Sequence, residues 1–265
     1  RDSLGFEDSL YRLVWSEADG LPGVVIDRYA DHFVLQTLTL AMDQRKGVIV
    51  EALQSTYGDI VVIERNDSSI RKAEGLSPAT VVLAGNWSAP FEIEVNGLKQ
   101  TIDLLEGQKT GIYLDQLDNY ASVARLAKGK SVLDCFCNQG GFALHAAKAG
   151  AASVLAIDIS AGAVSATLEN AARNELEVEA EEANVFDFLK DAESAGREFD
   201  LIVLDPPSFT KSRKSVSGAM RGYKEIHLRA LKMLTKEGIL STYSCSHHIS
   251  EKEFFSMVCD ASVDA

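Results

Sequence analysis

The stretch SVLDCFCNQGGFALHAAKAG, Ser131 to Gly150, carries the clearest fold signal in the chain. A short apolar strand pattern runs into a turn containing Gly140 and Gly141, and a helical pattern follows the turn. The same order recurs downstream, where the segments SVLAIDI, FDLIVLD and GILSTYSC have the character of strands. Short apolar strands that alternate with helices predict an α/β domain built on a doubly wound, largely parallel sheet.

A different pattern fills the chain up to about Leu105. Alternating strand-like segments are broken by turn residues, and MDQRKGVIVEALQSTYG has helical spacing at Val48, Ile49, Ala52 and Leu53 that ends at Gly58. The segment FEIEVNGLKQTIDL predicts a β-hairpin with Asn96-Gly97 as its type I′ turn. We therefore predict a small α+β domain over residues 1–105 and the α/β domain over residues 106–265.

The composition is that of an ordinary globular protein, with 46% hydrophobic and 25% charged residues. No apolar run is long enough for a membrane span, and the first ten residues lack the pattern of a signal peptide. Four cysteines in a chain of 265 residues do not form a disulfide scaffold, so reduced thiols and a cytoplasmic location are expected.

The formal net charge of −13 argues against general nucleic-acid binding, but the charge is unevenly distributed. Between Asp205 and Lys236 there are eight basic residues and only two acidic ones. This segment is either a phosphate-binding patch or a solvated helix face. Within it, TKSRKSVSGAMRGY is polar and contains glycine and serine, which predicts a mobile loop.

Carboxylates follow several of the predicted strands, at the edge where parallel sheets bind ligands. Asp158 ends the second strand, where an acid can accept hydrogen bonds from both ribose hydroxyls. Asp187 follows the next strand and can accept from an adenine amino group. Since the Gly140-Gly141 turn matches neither a dinucleotide nor a phosphate-loop fingerprint, the set predicts a nucleoside cofactor other than NAD.

Four stretches together carry a family resemblance: GQKTGIYLDQ, DCFCNQGGFALHAA, DLIVLDPPSFTKS and STYSCS. The block from Gly107 to about Ile249 resembles a Rossmann-like class I S-adenosylmethionine-dependent methyltransferase. The stretches narrow this to the bacterial large-subunit rRNA cytosine-5 methyltransferase family. That family usually carries an N-terminal PUA domain, for which there is no room before Ser9. The last two strands of its usual sheet are also not recognisable.

The resemblance implies S-adenosylmethionine as the cofactor and large-subunit rRNA as the partner, without a metal or a membrane. It also implies that the domain over residues 1–105 is an accessory for RNA binding. It implies that one segment lines the methionine end of the cofactor, that the Gly-Gly turn lies under it, and that Asp158, Asp187 and Asp205 complete the site. The residues of the lining segment and of the turn are Lys109, Thr110, Gly111, Tyr113, Gln116, Phe136, Asn138 and Gly140.

The reaction depends on the segments after the last two strands. Asp205 can orient a base, and Pro206-Pro207 fix a backbone whose carbonyls face it. Because C5 of cytosine is a weak nucleophile, a thiolate must first add to C6, and Cys245 lies at the same sheet edge. The substrate-binding residues are then Pro206, Pro207, Phe209, Lys211 and Arg213, and the catalytic pair is Cys245 and Asp205.

Other interpretations remain open at this point. In one of them, the protein methylates a guanine nitrogen or a small molecule, and Cys245 is only a small apolar residue at a strand end. A non-catalytic cofactor-binding protein is a third possibility. A metal site at Cys245, His247 and His248 is disfavoured because these residues are too close together for zinc spacing. The two histidines are expected to be exposed turn residues or to help at the RNA site. The sequence does not give the oligomeric state.

Overall fold

The computed structural model describes residues 10–105, 111–210 and 212–265, which belong to two compact units, Arg1–Leu117 and Asp118–Ala265. The elements of the first unit are β1 (Leu10–Trp15), β2 (Val24–Tyr29), β3 (His32–Thr37), α1 (Leu40–Asp43), α2 (Lys46–Tyr57), β4 (Val61–Asn66), β5 (Ala79–Ala84), β6 (Phe91–Val95) and β7 (Leu98–Ile102). Those that follow are α3 (Leu117–Ala127), β8 (Ser131–Cys135), α4 (Gly141–Lys148), β9 (Ser153–Asp158), α5 (Ala161–Arg173), β10 (Glu179–Glu182), α6 (Val185–Ser194), β11 (Phe199–Leu204), α7 (Val216–Lys232), β12 (Leu234–Thr242) and α8 (Glu251–Asp264).

The first unit contains a sheet in the order β1-β2-β3-β4-β5. Only the β3–β4 pair is parallel, because α2 provides the crossover between these two strands. The predicted helix is confirmed, and it ends before Gly58, whose φ is 78°. Its buried face differs from the expected one: Val50 and Leu53 are buried, while Val48 is 66% exposed. The sheet selects this face because α2 packs with Phe33 and its neighbours.

The predicted hairpin is also confirmed. Strands β6 and β7 pair in antiparallel register, and Asn96 and Gly97 have φ values of 49° and 75°. Two consecutive positive φ angles define the type I′ turn, which matches the twist of the strands. The apolar side of the hairpin packs on the sheet face opposite α2, where Ile93 and Ile102 contact a cluster that includes Ile63.

The compact units divide after Leu117, whereas the sequence placed a domain boundary after residue 105. The side chains of Ile112, Leu114 and Leu117 pack against the hydrophobic cluster of the first unit. The Nδ2 atom of Asn96 also donates to the carbonyl of Leu117 at 3.1 Å. The segment after residue 110 therefore belongs to the first unit by its packing, which no local pattern in the sequence encodes.

The second unit contains the predicted parallel sheet, with strand order β10-β9-β8-β11-β12. Chain connections run outward in opposite directions from β8 and β11, so the order reverses between these two strands. Such a switch point opens a crevice at the carboxyl ends of the strands. The predicted α/β fold with a Rossmann-like sheet is therefore confirmed, and the crevice lies where Cys135 and Leu204 end their strands.

Helix α7 corrects one expectation. The segment TKSRKSVSGAMRGY was predicted to be a mobile loop, and this is wrong from Val216 onward, where α7 begins. Ala219, Tyr223, Ile226 and Ala230 recur at helical spacing and are all buried. Burial of this stripe outweighs the low helix propensity of the glycine and serine residues between them. Lys211 lies outside the described residues.

Candidate functional site

The turn between β8 and α4 has an unusual backbone. Phe136, Asn138 and Gly140 have φ values of 65°, 49° and 82°, so two residues other than glycine adopt the left-handed region. Such residues persist only where surrounding bonds hold them. Asp158 supplies one of these bonds, because its Oδ2 accepts from the backbone N–H of Asn138 at 2.9 Å. The backbone N–H of Cys137 donates to the carbonyl of Ile157 at 3.0 Å.

Gly140 and Gly141 are required by close packing. A Cβ atom on Gly140 would lie 2.7 Å from Cγ2 of Thr167, and one on Gly141 would lie 2.4 Å from the ring of Tyr120. Neither contact is tolerable without a shift of the neighbour. The glycines therefore let α4 begin close to α3 and α5, with its N-terminal N–H groups at the turn.

Asp158 ends β9 with both carboxylate oxygens held by the backbone. Its Oδ1 accepts from the N–H of Ser160 at 2.9 Å, while Oδ2 fixes the turn at Asn138. Each carboxylate oxygen can accept more than one hydrogen bond, so the oriented group retains acceptor capacity for a ligand. Asp187 lies exposed in the first turn of α6, in a cleft with Glu181, Ala183 and Arg197. Its assignment to adenine stays a prediction.

Asp134, the acid ahead of the Gly140-Gly141 turn, is fully buried near the end of β8. Its Oδ2 accepts from the N–H of Ala143 at 3.0 Å, and its Oδ1 has no hydrogen-bond partner in the described part of the chain. Burial raises the pKa of Asp134 to about 8, and the charges of Asp205 and Asp158 act in the same direction. A buried polar atom without a partner, beside this turn, fits a ligand that forms hydrogen bonds.

The stability of the protein is expected to respond to Asp134. Between its ordinary pKa of 3.8 and about 8, the folded state keeps a proton that the unfolded chain releases. This group therefore lowers the free energy of unfolding as pH rises, by about 1.4 kcal/mol per pH unit within that window. Asp134→Asn, which mimics the protonated acid, removes the effect. Urea titrations of both proteins at several pH values should show the wild type losing stability relative to the variant; a constant difference contradicts the assignment.

The segment after β11 brings the Asp-Pro-Pro motif to the same edge. The N–H of Asp205 donates to the carbonyl of Cys135 at 3.4 Å, next to the turn described above. Pro206 is buried and Pro207 is exposed. Phe209 packs between the rings of Phe136 and Tyr223 at centroid distances of 6.3 and 4.6 Å. Phe209 therefore has a packing role in the structure, and its contact with a substrate stays a prediction.

Cys245 lies beyond β12, which ends at Thr242 rather than continuing through the cysteine as the sequence suggested. The N–H of Tyr243 still donates to the carbonyl of Leu204 at 2.9 Å, after which the backbone leaves the sheet. The side chain of Cys245 is exposed, and its Sγ lies 3.9 Å from the carbonyl oxygen of Pro206. The thiol therefore adjoins the Asp-Pro-Pro segment.

The other cysteines in this region differ from Cys245. Cys135 and Cys137 are buried, and burial raises the pKa of both thiols, with the charge of Asp134 acting in the same direction. Buried thiols of raised pKa are poor nucleophiles. His247 and His248 occupy an exposed turn, as predicted. Among the described residues, no group of three or more His, Cys, Asp or Glu side chains is placed to hold a metal ion.

Tyr243 belongs to this edge but was missed by sequence reasoning. Its ring stacks on that of Phe142 at 5.1 Å, and its hydroxyl accepts from Oγ of Ser241 at 3.0 Å. Burial raises the pKa of Tyr243, and the charges of Asp205 and Asp134 act in the same direction. The signal was available, because Tyr243 follows a strand at the carboxyl edge as Asp158 does.

The remaining predicted residues are distributed differently. Gly111, Tyr113 and Gln116 belong to the first unit; Gly111 has a φ of 146°, and a Cβ there would lie 2.9 Å from Leu104. Lys109 and Thr110 lie outside the described residues, as does Lys211 in the second unit. Arg213 is exposed in a short 3-10 helix, Arg213–Ser215. The roles of all these residues stay predictions.

Comparison with known proteins identifies the family of the chain and its cofactor. A family model described as S-adenosylmethionine-dependent methyltransferase matches residues 36–254. The chain belongs to this family. S-adenosylmethionine is therefore the cofactor of this methyltransferase, as the resemblance implied, and the buried Asp134 and the oriented Asp158 fit a ligand with amino and hydroxyl groups. In the described parts of the methyltransferase, no helix has both the length and the hydropathy needed to cross a bilayer.

Curated relatives match the methyltransferase along most or all of its length. A protein from Shewanella frigidimarina named ribosomal RNA large subunit methyltransferase I is 46% identical, covering 100% of this chain and 68% of the relative. A protein of the same name from Photobacterium profundum is 43% identical with the same coverages. A solved structure of a SAM-dependent methyltransferase from Streptococcus mutans has a TM-score of 0.82 at 24% identity, covering 99% of this chain and 68% of that one. Another, complexed with SAH, has a TM-score of 0.83 at 24% identity with the same coverages. These two structural likenesses concern the fold.

Proposed function

We propose that this methyltransferase forms 5-methylcytosine in large-subunit ribosomal RNA, with Cys245 as the nucleophile and Asp205 as the residue that orients the base. The substrate class rests on the relatives named ribosomal RNA large subunit methyltransferase I. The observation that carries the chemistry is the exposed thiol of Cys245, 3.9 Å from the carbonyl oxygen of Pro206. A thiol that only filled space at a strand end would be expected to lie buried, as Cys135 does.

The chemistry requires a covalent step on the base. S-adenosylmethionine, when bound, would supply an electrophilic methyl group, whose bond to the sulfonium sulfur breaks to leave the neutral thioether S-adenosylhomocysteine. The thiolate of Cys245 adds to C6 of cytosine, which makes C5 nucleophilic enough to accept that methyl group. A base then removes the C5 proton, and the electron pair of the C5–H bond re-forms the C5–C6 double bond as the thiolate leaves. Asp205 holds the cytosine edge during these steps, and the carbonyl groups of the Pro206-Pro207 segment face the ring.

The cofactor is proposed to lie over the turn after β8. Phe136, Asn138 and Gly140 form the floor, Asp158 accepts from the ribose hydroxyls, and Asp187 accepts from the adenine amino group. The turn supports this role because its left-handed residues are fixed by the carboxylate of Asp158. Asp205 is proposed to complete the site, and the family resemblance implies that Lys109, Thr110, Gly111, Tyr113 and Gln116 line the methionine end of the cofactor.

The RNA phosphates are proposed to contact the beginning of α7 and the residues before it, with Lys211 among them. Within the described residues, Arg213, Lys214 and Arg221 are exposed and form no ion pair. Farther along the helix the cations are paired: Nζ of Lys224 lies 2.6 Å from Asp264, and Nη1 of Arg229 lies 2.8 Å from Glu193. Among the described residues of α7 and of the segment before it, the cations without an ion-pair partner are therefore the ones nearest in sequence to the Asp-Pro-Pro segment, and we propose that these contact the phosphates.

Salt dependence of RNA binding should distinguish these cations. Arg221→Ala is expected to weaken binding and to reduce the slope of log affinity against log salt by about 0.7 to 1. Lys236→Ala is the matched control, because Lys236 is exposed near the start of β12, at the opposite end of that strand from Cys245. Filter binding at several salt concentrations measures both slopes. Equal slopes for the two variants contradict the proposed patch.

Analysis of the methylated nucleoside tests the proposed function. Unmodified large-subunit rRNA is incubated with the protein and labelled S-adenosylmethionine, digested to nucleosides and separated by mass. The proposal predicts 5-methylcytidine as the labelled product. A methylated guanosine as the only product would show that Cys245 has a packing role. Absence of any transfer from a protein that binds the cofactor would show a non-catalytic binding protein.

A further inference from the structure

A chain of hydroxyl groups connects the segment of Cys245 with the Asp-Pro-Pro segment. Oγ of Ser208, two residues after Pro206, lies 3.1 Å from Oγ of Ser246, the residue after Cys245. The hydroxyl of Tyr223 on α7 lies 2.8 Å from the same Ser246 oxygen. Tyr223 and Ser246 are buried, whereas Cys245, the residue before Ser246, is exposed.

The number of available protons fixes the direction of this chain. The single hydroxyl proton of Ser208 is donated to the carbonyl of Thr210 at 2.8 Å, so Ser208 must accept from Ser246. The proton of Ser246 is then used, and Ser246 must accept from Tyr223. Tyr223 in turn accepts from Oγ of Ser244 at 3.5 Å. Aligned hydroxyl groups of this kind strengthen one another in a buried environment.

We propose that the Ser246–Ser208 hydrogen bond positions the Cys245 thiol relative to the Asp205 carboxylate, and that Tyr223 anchors this bond to α7. The inference rests on the proposed function, in which Cys245 and Asp205 act on one base. Cys245 lies in the loop after β12, and Asp205 lies in the loop after β11. Near Cys245, the described contacts between these two loops are the Ser246–Ser208 hydrogen bond and the 3.9 Å contact from Cys245 Sγ to the carbonyl oxygen of Pro206. Ser208, Ser246 and Tyr223 are positioning residues and do not themselves react.

The order of effects among variants follows from the direction of the chain. Ser246→Ala removes the bond between the loops and leaves the buried Tyr223 hydroxyl without its acceptor. Ser208→Ala also removes the bond between the loops and leaves the Ser246 hydroxyl without its acceptor, but it keeps the bond from Tyr223 to Ser246 that Ser246→Ala loses as well. Tyr223→Phe keeps the Ser246–Ser208 bond and loses only the anchor. We therefore expect the largest loss of kcat for Ser246→Ala, followed by Ser208→Ala and then Tyr223→Phe.

Steady-state methylation by the full chain tests the inference. Ser262→Ala is the control because, among the described residues, the Ser262 hydroxyl bonds to the carbonyl of Cys259 within α8. For both serine variants kcat should fall by up to about 100-fold, since misplacing a reacting group by about 1 Å has effects of that size. KM for S-adenosylmethionine should stay unchanged. The double serine variant should be no slower than Ser246→Ala, because both changes break one bond. If the serines had a purely structural role, the variants would have a lower melting temperature, but kcat would not fall at unchanged KM and the two effects would not be non-additive.

The inference is overturned if the serine variants turn over like the wild type, or if their effects on kcat multiply in the double variant. Cys245→Ala, assayed in parallel, distinguishes a failure of the proposed function from a failure of this inference alone. Transfer retained by Cys245→Ala removes the proposed function and the inference with it. An inactive Cys245→Ala together with normal serine variants removes only the inference. If Ser246→Ala fails to fold, Ser208→Ala alone decides, because the Ser208 side chain is partly exposed and the Tyr223–Ser246 bond remains in this variant.

Discussion

Replacing Cys245 by alanine is expected to reduce methyl transfer to ribosomal RNA by about three orders of magnitude or more, because the covalent route to C5 is lost. Binding of S-adenosylmethionine should be unaffected, since the described contacts of Cys245 involve Pro206 and not the turn at Asn138. Initial rates with labelled cofactor and equilibrium dialysis measure the two quantities separately.

Cys259 provides the matched control for this experiment. It is the other exposed cysteine among the described residues, and it lies on α8. Cys259→Ala should transfer methyl groups at the wild-type rate. Transfer retained by Cys245→Ala, or lost equally in both variants, contradicts a specific role for the Cys245 thiol.

Replacing Asp158 by alanine is expected to weaken binding of S-adenosylmethionine by roughly 10- to 100-fold. Two effects contribute. The proposed hydrogen bonds to the ribose are lost, and bonds to a charged acceptor contribute about 1.5–3 kcal/mol. The N–H groups of Asn138 and Ser160 also lose their acceptor, so the left-handed turn loses one of the bonds that hold it in place.

Asp158→Asn and Asp260→Ala separate these contributions. The asparagine retains one acceptor and should lie between wild type and alanine in cofactor affinity. Asp260 is an exposed acid on α8, so its removal tests whether loss of any negative charge in this acidic protein affects binding. Isothermal titration measures the dissociation constants of the wild type and the three variants, and equal constants for wild type and Asp158→Ala contradict the assignment.

The features that local rules encode were predictable from the sequence. The Asn96-Gly97 turn, the end of α2 before Gly58 and the strand–turn–helix at Gly140 each depend on residues that are adjacent in the chain. The position of Asp158 and Asp205 at one sheet edge followed from the geometry of parallel strands.

The remaining features depend on contacts between distant residues. Phe136 and Asn138 are left-handed because Asp158, on the next strand, accepts from the turn. The first part of α7 is helical because Ala219 and Tyr223 are buried, although its composition resembles a loop. The raised pKa of Asp134 arises from burial, which no sequence window shows.

The hydroxyl chain also shows why Ser208 was hard to interpret. Its neighbours in the chain do not indicate which group its hydroxyl bonds to. In the structure its hydroxyl accepts from Ser246, which lies next to Cys245 in the chain but is separated from Ser208 by α7 and β12. Pairing of this kind appears only when the two loops are seen together.

Trapping of a covalent complex tests the central claim most directly. In RNA that contains 5-fluorocytidine at the target site, C5 carries fluorine instead of the proton that a base must remove, so the adduct between thiol and C6 persists. With S-adenosylmethionine present, the wild-type protein and Cys259→Ala should form a complex that survives denaturation, and peptide mapping should place the RNA on Cys245. The account is contradicted if no complex forms, if the RNA is attached to another residue, or if Cys245→Ala forms the same complex.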